Sequence, residues 1–218
     1  MKNTKESGFS LIEVLVVVGI MATLLVLGSS LFRQAGQSES REAVRSLILS
    51  GLNNAQSSAL SSGEPVAIVM TPYEQGLEEQ LGRSFAIFEV RQDDVTGDFE
   101  AGRQLRRWTS LPGRFIFSKG STVSDSGQNA FGQSSVVSIP VVVEQSSRRS
   151  VDMPAIIFGG TGNVLWPSGD GELELHLVEG AVSGGSAFVT NDNNDDWRKR
   201  EVFVIGRQTG RARFLQTR

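Results

Sequence analysis

The chain has 218 residues, with 21 lysine and arginine against 24 aspartate and glutamate side chains, one histidine and no cysteine. The missing cysteines exclude disulfides and thiolate metal sites, and a lone histidine excludes a His-rich zinc centre. A net charge of −3 argues against a bulk binder of polyanions.

Residues 1–8 form a short leader in which Lys2 and Lys5, with the α-amino group, hold the N-terminus on the cytoplasmic side by the positive-inside rule. Residues 9–32, Phe9 to Phe32, hold one ionisable group, Glu13. As a helix this run spans about 36 Å, enough for one crossing of a ~30 Å hydrocarbon core. A secretory signal peptide places its small-residue cleavage site after the apolar run. Here Gly8 precedes it, and only Ser29 and Ser30 keep that alternative open. An ionised Glu13 near the bilayer interior is unfavourable by about 2.5–3.5 kcal/mol unless it finds a partner. Two partners fit. A cut after Gly8 would leave the α-amino group of Phe9 one helical turn away, on the same or a neighbouring subunit; otherwise Glu13 is interfacial and reaches the headgroups.

Gly8-Phe9-Ser10-Leu11-Ile12-Glu13-Val14-Leu15 resembles the class III signal of type IV prepilins and type II secretion pseudopilins. The resemblance implies cleavage between Gly8 and Phe9 by prepilin peptidase, N-methylation of Phe9, and a role for Glu13 in assembly. It also implies a single-pass protein of the bacterial inner membrane with a periplasmic C-terminal domain. Its partners would be the lipid bilayer, major and minor pilins or pseudopilins, and the inner-membrane assembly platform. Removing Lys2, Lys5 and Glu6 with the leader leaves 19 basic against 23 acidic side chains, a net −4.

Residues 33–62 continue the helix, since no proline appears before Pro65 and Ala43, Val44, Leu47, Ile48, Leu52, Ala55 and Ala59 follow a 3/4 spacing. The opposite side, with Arg41, Glu42, Arg45, Asn54 and Ser58, suits water, so this half is amphipathic. Ser61-Ser62-Gly63 followed by Pro65 predicts its end. Gly28, Ser29, Ser30 and Gly36 are poor helix formers within the rod. They are either tolerated small residues or a segment that bends when the subunit is incorporated into a filament.

From 63 to 218 the pattern is that of one β-rich domain. Strand-like runs fall at 65–70, 84–91, 104–109, 114–118, 136–144, 155–158, 172–178, 201–205 and 211–215, separated by Gly, Asp, Asn and Ser. In 172–178 the leucines 173, 175 and 177 alternate with Glu172, Glu174 and His176, which predicts a half-buried strand with His176 on its solvent face. No helical pattern separates the later strands, so a doubly wound fold is excluded. The expected class is α+β: a long N-terminal helix packed on an antiparallel β-sheet domain, as in pilins.

The layout is also similar to the GspH/FimT-type minor pseudopilins and minor pilins. The resemblance is carried by Asn54-Ala55-Gln56-Ser57-Ser58-Ala59, Gly63-Glu64-Pro65-Val66, Phe85-Ala86-Ile87-Phe88, Arg106-Arg107-Trp108, Ile156-Ile157-Phe158 with Gly159, Gly160 and Gly162, and Thr209-Gly210-Arg211-Ala212-Arg213. It implies a low-abundance subunit that helps initiate, or sits at the tip of, a type II secretion pseudopilus or a type IV pilus.

Other chemistry is thin. Asp192-Asn193-Asn194-Asp195-Asp196 alternates oxygen ligands, but Trp197 stands where an EF-hand needs Gly and Phe203 where it needs Glu. That segment and Asp93, Asp94, Asp98 and Glu100 read as acidic turns or as looser Ca²⁺ loops. Gly159-Gly160-Thr161-Gly162 lacks the spacing of a phosphate cradle. No catalytic apparatus, metal set or cofactor motif is visible, so the expected protein is not an enzyme. Arg207, Arg211 and Arg213 gather near the C-terminus, and Gly210-Arg211-Ala212-Arg213 resembles the Gly-Arg-x-Arg tail of minor pilins that capture DNA. Three functions thus stand: an assembly subunit, a DNA-binding minor pilin, and a membrane-anchored adhesin or sensor that never polymerises.

Overall fold

A computed structural model describes residues 11–74, 80–93, 97–132, 137–144, 147–190 and 200–215, without the side chains of Glu13, 25–38 and 140–150. The chain divides into two compact units, Met1–Arg41 and Glu42–Arg218. The described part of the first unit is helical, the beginning of α1 (Leu11–Ser62), whose backbone runs unbroken through Gly28, Ser29, Ser30 and Gly36. The helix stops where the glycine and proline require. Gly63 adopts φ 74°, a conformation costly for other residues, and its N–H donates to the Ala59 carbonyl at 2.9 Å.

The second unit contains, among the described residues, β1 (Val66–Met70), β2 (Ser84–Gln92), β3 (Phe99–Ser110), β4 (Phe115–Phe117), β5 (Gln128–Asn129), β6 (Val137–Glu144) and β7 (Ser147–Met153), followed by β8 (Ala155–Phe158), β9 (Val164–Trp166), β10 (Leu173–Ser183), β11 (Ser186–Val189), β12 (Glu201–Ile205) and β13 (Ala212–Leu215). All nine strands expected from sequence are present. β5, β7, β9 and β11 were not expected.

One seven-stranded sheet has the order β7-β6-β3-β2-β1-β8-β9, antiparallel except where β3 meets β6. β7 and β8 sit far apart in that order, yet only Pro154 separates them in the chain. The sheet must therefore roll, and the Met70 N–H donates to the Pro154 carbonyl at 2.8 Å. The roll encloses a core of Val69, Phe88, Val137, Val151, Met153 and Ile157. A second sheet, β11-β10-β12-β13, carries β4 and β5 against β10.

The C-terminal half of α1 joins the two sheets. Val44, Ile48, Leu52, Ala55 and Ala59 have no exposed surface and share one core with Ile68, Phe85 and Phe158 of the first sheet and Phe117, Leu175 and Phe203 of the second. Full burial of a Val, Ile or Leu is worth about 1.5–3 kcal/mol. Gly51 lets the helix lie close to β2, since a Cβ there would come within 2.8 Å of the Phe85 ring. Ala43, expected on this stripe, is exposed instead, because the buried face narrows to the 44/48/52/55/59 row.

Arg45 departs from its expected solvated place. Its Nε donates to Glu201 Oε2 at 2.6 Å and its Nη2 to Oε1 at 3.2 Å, and the guanidinium lies 4.2 Å from the centroid of the Phe214 ring. Glu201 is only 1% exposed, and its hydrogen bond to the Arg45 fork raises the Arg45 pKa. Arg45→Met should lower the unfolding free energy by about 3 kcal/mol, because the buried carboxylate loses its bidentate partner. The pair Arg45→Met with Glu201→Leu should recover most of that loss. Chemical denaturation measures both, and a single-variant loss below about 1 kcal/mol would mean that the pair behaves as a surface bridge.

Candidate functional site

The residues that carry the N-terminal reading fall partly outside the description. Gly8 and Phe9 lie outside the described residues; Glu13 lies in α1, with its side chain undescribed. Around it, Leu11, Ile12, Val14, Leu15, Val16, Val17, Val18, Ile20, Met21 and Leu24 are all at least half exposed. These residues cover every side of the helix, and a helix apolar all round belongs in a nonpolar surrounding. Thr23, polar like Glu13 in this run, donates its hydroxyl to the Ile20 carbonyl at 2.8 Å, which satisfies it within the helix. Among the described residues no helix is long and apolar enough to cross a membrane.

The three C-terminal arginines do not form one patch. Arg207 follows β12 and turns inward, with Nε donating to the Gly171 carbonyl at 2.5 Å and its other nitrogens to the Pro167 carbonyl and Gln128 Oε1. Burial lowers its pKa, with Asp170 acting in the opposite sense. Arg207 thus ties its own turn to the loop between β9 and β10 and to β5, although it borders an open groove of about 490 Å³ with Asn163, Ser168 and Gln208. Arg211 and Arg213 are exposed beside and on β13, which pairs only with β12 among the described residues. Arg213 reaches Glu172 at 3.2 Å.

Of the acidic turns, Asp192–Asp196 and Asp94 lie outside the described residues, and no group of three metal-binding side chains occurs among those described. The glycine run 159–162 is a hairpin turn. The Gly162 N–H meets the Gly159 carbonyl at 2.8 Å, and Gln56 of α1 donates to Gly162 O at 3.3 Å.

His176 corrects the sequence reading. It is fully buried, not on a solvent face, and so is Glu174 at 1% exposure. The strand alternates as expected, but the loop leading into β5 lies over its second face, where the Val123 and Ser124 N–H groups meet Glu174. The Glu174 carboxylate accepts the N–H groups of Val123 and Ser124 at 2.8 and 2.9 Å, and His176 Nε2 lies 2.6 Å from its Oε2. Arg200 donates to the Ser121 carbonyl at 3.1 Å, and Asn129 Nδ2 bridges the carbonyls of Ser118 and Gly120 at 2.8 Å each. Together these groups pin the loop 118–129. Among the described residues His176 Nδ1 has no partner, consistent with a neutral ring that donates through Nε2. Nothing local in the sequence marks this cluster. Its one signal was two ionisable residues at i and i+2 among the leucines and valine of 173–178.

Comparison with known proteins bears on the N-terminus. Residues 3–29 match the family model of the prokaryotic N-terminal methylation motif. No curated protein matches the chain. Among solved structures, the type IV minor pilin FimU of Pseudomonas aeruginosa (strain PAO1) aligns at 13% identity over 84% of this chain and 91% of its own, with a TM-score of 0.41. That likeness is too loose to transfer anything from that protein.

Burial depresses the His176 pKa; the Glu174 hydrogen bond and charge push it up and Arg200 pushes it down. Its folded value lies below the usual one, so the unfolded chain takes up a proton first as pH falls below about 6.5. Stability from this group is complete above that pH and is lost as pH drops towards the folded value. Thermal melts at pH 7.5 and 5.5 should show the decrease, and His176→Gln should flatten it. An equal slope in the variant would remove His176 as the cause.

Proposed function

We propose, on the premise that its N-terminal methylation motif sets the chain in the type IV pilin and pseudopilin superfamily, that it is a minor assembly subunit of a type IV pilus or type II secretion pseudopilus. The observation that carries this reading is the motif itself, which spans residues 3–29. In this reading Phe9–Phe32 anchors the subunit once in the bacterial inner membrane, N-terminus inside. The exposed apolar run from Leu11 to Leu24 supports that placement, since such a surface is unfavourable in water. Prepilin peptidase cuts between Gly8 and Phe9, and Phe9 is methylated. Glu13 then pairs with an α-amino group, its own or a neighbour's, which offsets the insertion cost of the carboxylate and fixes the register between helices. Assembly with other pilins is packing of that helix, and the GspH/FimT-like layout favours a place at initiation or at the tip.

The role is structural, not enzymatic. Its chemistry is confined to processing by another protein, and the buried Glu174–His176 pair is closed off from any substrate. The arginine arrangement weakens the competing DNA-capture reading, because the Arg207 guanidinium is used inside the domain and Arg213 has a carboxylate partner.

Mass spectrometry of the cellular protein should find a chain beginning at N-methylated Phe9. A chain beginning at Met1, or beyond Phe32, would overturn the proposal. Glu13→Ala should still be inserted and cleaved, while its recovery in sheared filaments should fall by about tenfold or more; unchanged recovery would remove the pairing role.

A further inference from the structure

We propose that the outer side of β3 between residues 101 and 110 is a docking edge for an extended, acidic segment of another protein. β3 pairs with β2 from Phe99 to Ser110, with three register shifts that place extra residues on β3 between Ala101 and Thr109. On its other side it meets β6 only at Phe99 and Glu100, opposite Val137 and Ser138. The two strands then part, and Pro140 in β6 has no N–H with which to continue a ladder. Among the described residues nothing else pairs with this side, so most of the strand offers backbone groups to a newcomer.

The edge has two further properties. Its carbonyls are only lightly engaged by its own side chains: Gln104 Nε2 donates to Arg106 O at 3.0 Å and Thr109 Oγ1 to Arg107 O at 3.2 Å. Such short-range bonds are readily exchanged for those of an added strand. It is also strongly basic, with Arg103, Arg106 and Arg107 exposed within five residues of an otherwise acidic chain. The occupied side shows how a carboxylate meets these groups, since Glu89 of β2 binds Arg103 across the strands at 2.5 Å. A carboxylate on an added strand would stand in the same cross-strand relation to Arg106 or Arg107.

The arginines also select the occupant. Arg103 already has its carboxylate in Glu89, but two copies of this edge would still set Arg106 and Arg107 against the same pair, so the strand resists pairing with itself, as edge strands commonly must. A nucleic acid would satisfy the guanidinium groups and leave the backbone edge unused. An alternating acidic peptide satisfies both, by strand addition. This inference does not depend on filament assembly.

The test uses the full-length protein in detergent and a labelled peptide of about nine residues alternating threonine and glutamate. Fluorescence anisotropy should show binding, and hydrogen exchange of amides 101–110 should slow. A lysine-for-glutamate peptide should not bind. The acidic peptide N-methylated at alternate backbone nitrogens should lose at least about tenfold in affinity, as should the variant Arg106→Glu with Arg107→Glu; Arg106→Gln with Arg107→Gln should lie between. Circular dichroism checks that the exposed substitutions leave the fold intact. No binding, binding indifferent to N-methylation, or single-stranded DNA bound through the same arginines without amide protection would each overturn the proposal.

Discussion

Burial of one helical stripe organises the globular unit. Val44, Ile48, Leu52, Ala55 and Ala59 lie where the rolled seven-stranded sheet and the six-stranded sheet share a core, so each sheet packs against the other partly through the helix. Removing that stripe from water supplies the drive, on the order of several kcal/mol for the three largest residues alone. Direction comes from the polar contacts at its border. Arg45 reaches Glu201 of β12, and Gln56 reaches the turn carbonyl of Gly162, which holds the helix to the second sheet at one place and to the β8–β9 turn at another. Hydrophobic burial is non-directional, and these bonds decide which rotation about the helix axis is native.

The same crowding explains which parts of the fold can be read from the chain. The end of α1 was legible because Gly63 and Pro65 are local instructions, and nine strands were legible because β-branched and aromatic runs announce themselves. β7, Ser147–Met153, is a polar run that becomes a strand because it follows β6 and pairs along it. β5 is two residues held by β10 in parallel, and β9 is three residues held by β8. Such short elements owe their form to the strands they pair with, β5 to one some forty-five residues away and β9 to its hairpin partner. The error at His176 has the same origin: alternation reports that a strand has two faces, and says nothing of what covers the second one. The N-terminal motif, by contrast, was legible because contiguous residues carry it.

Long-range polar contacts were the least legible part of the candidate sites. Arg207, Arg211 and Arg213 are near neighbours in sequence, yet the first donates to residues some forty and eighty positions away while the other two face solvent. A basic cluster in a sequence is therefore a statement about composition, and the fold decides which members are cations at a surface and which are cross-links. The criterion is whether the guanidinium fork finds backbone carbonyls within the fold, as Arg207 does with Gly171 and Pro167.

The ionisable side chains of the globular unit therefore serve two physical purposes. Glu174, His176, Arg200, Glu201 and Arg45 lie in or at the edge of the low-dielectric interior, where each hydrogen bond is strong and an unpartnered charge is costly. They fix loop 118–129 and the helix, and ionic strength has little purchase on them. The arginines of β3 stand in water, where their fields are screened within about 8 Å at physiological salt. They add little to stability, as an exposed pair such as Arg103–Glu89 usually does. Their placement along a half-unpaired strand instead gives that edge a sign. A sheet edge without charge would accept any extended chain, including another copy of itself; one with three arginines discriminates before a single backbone bond has formed.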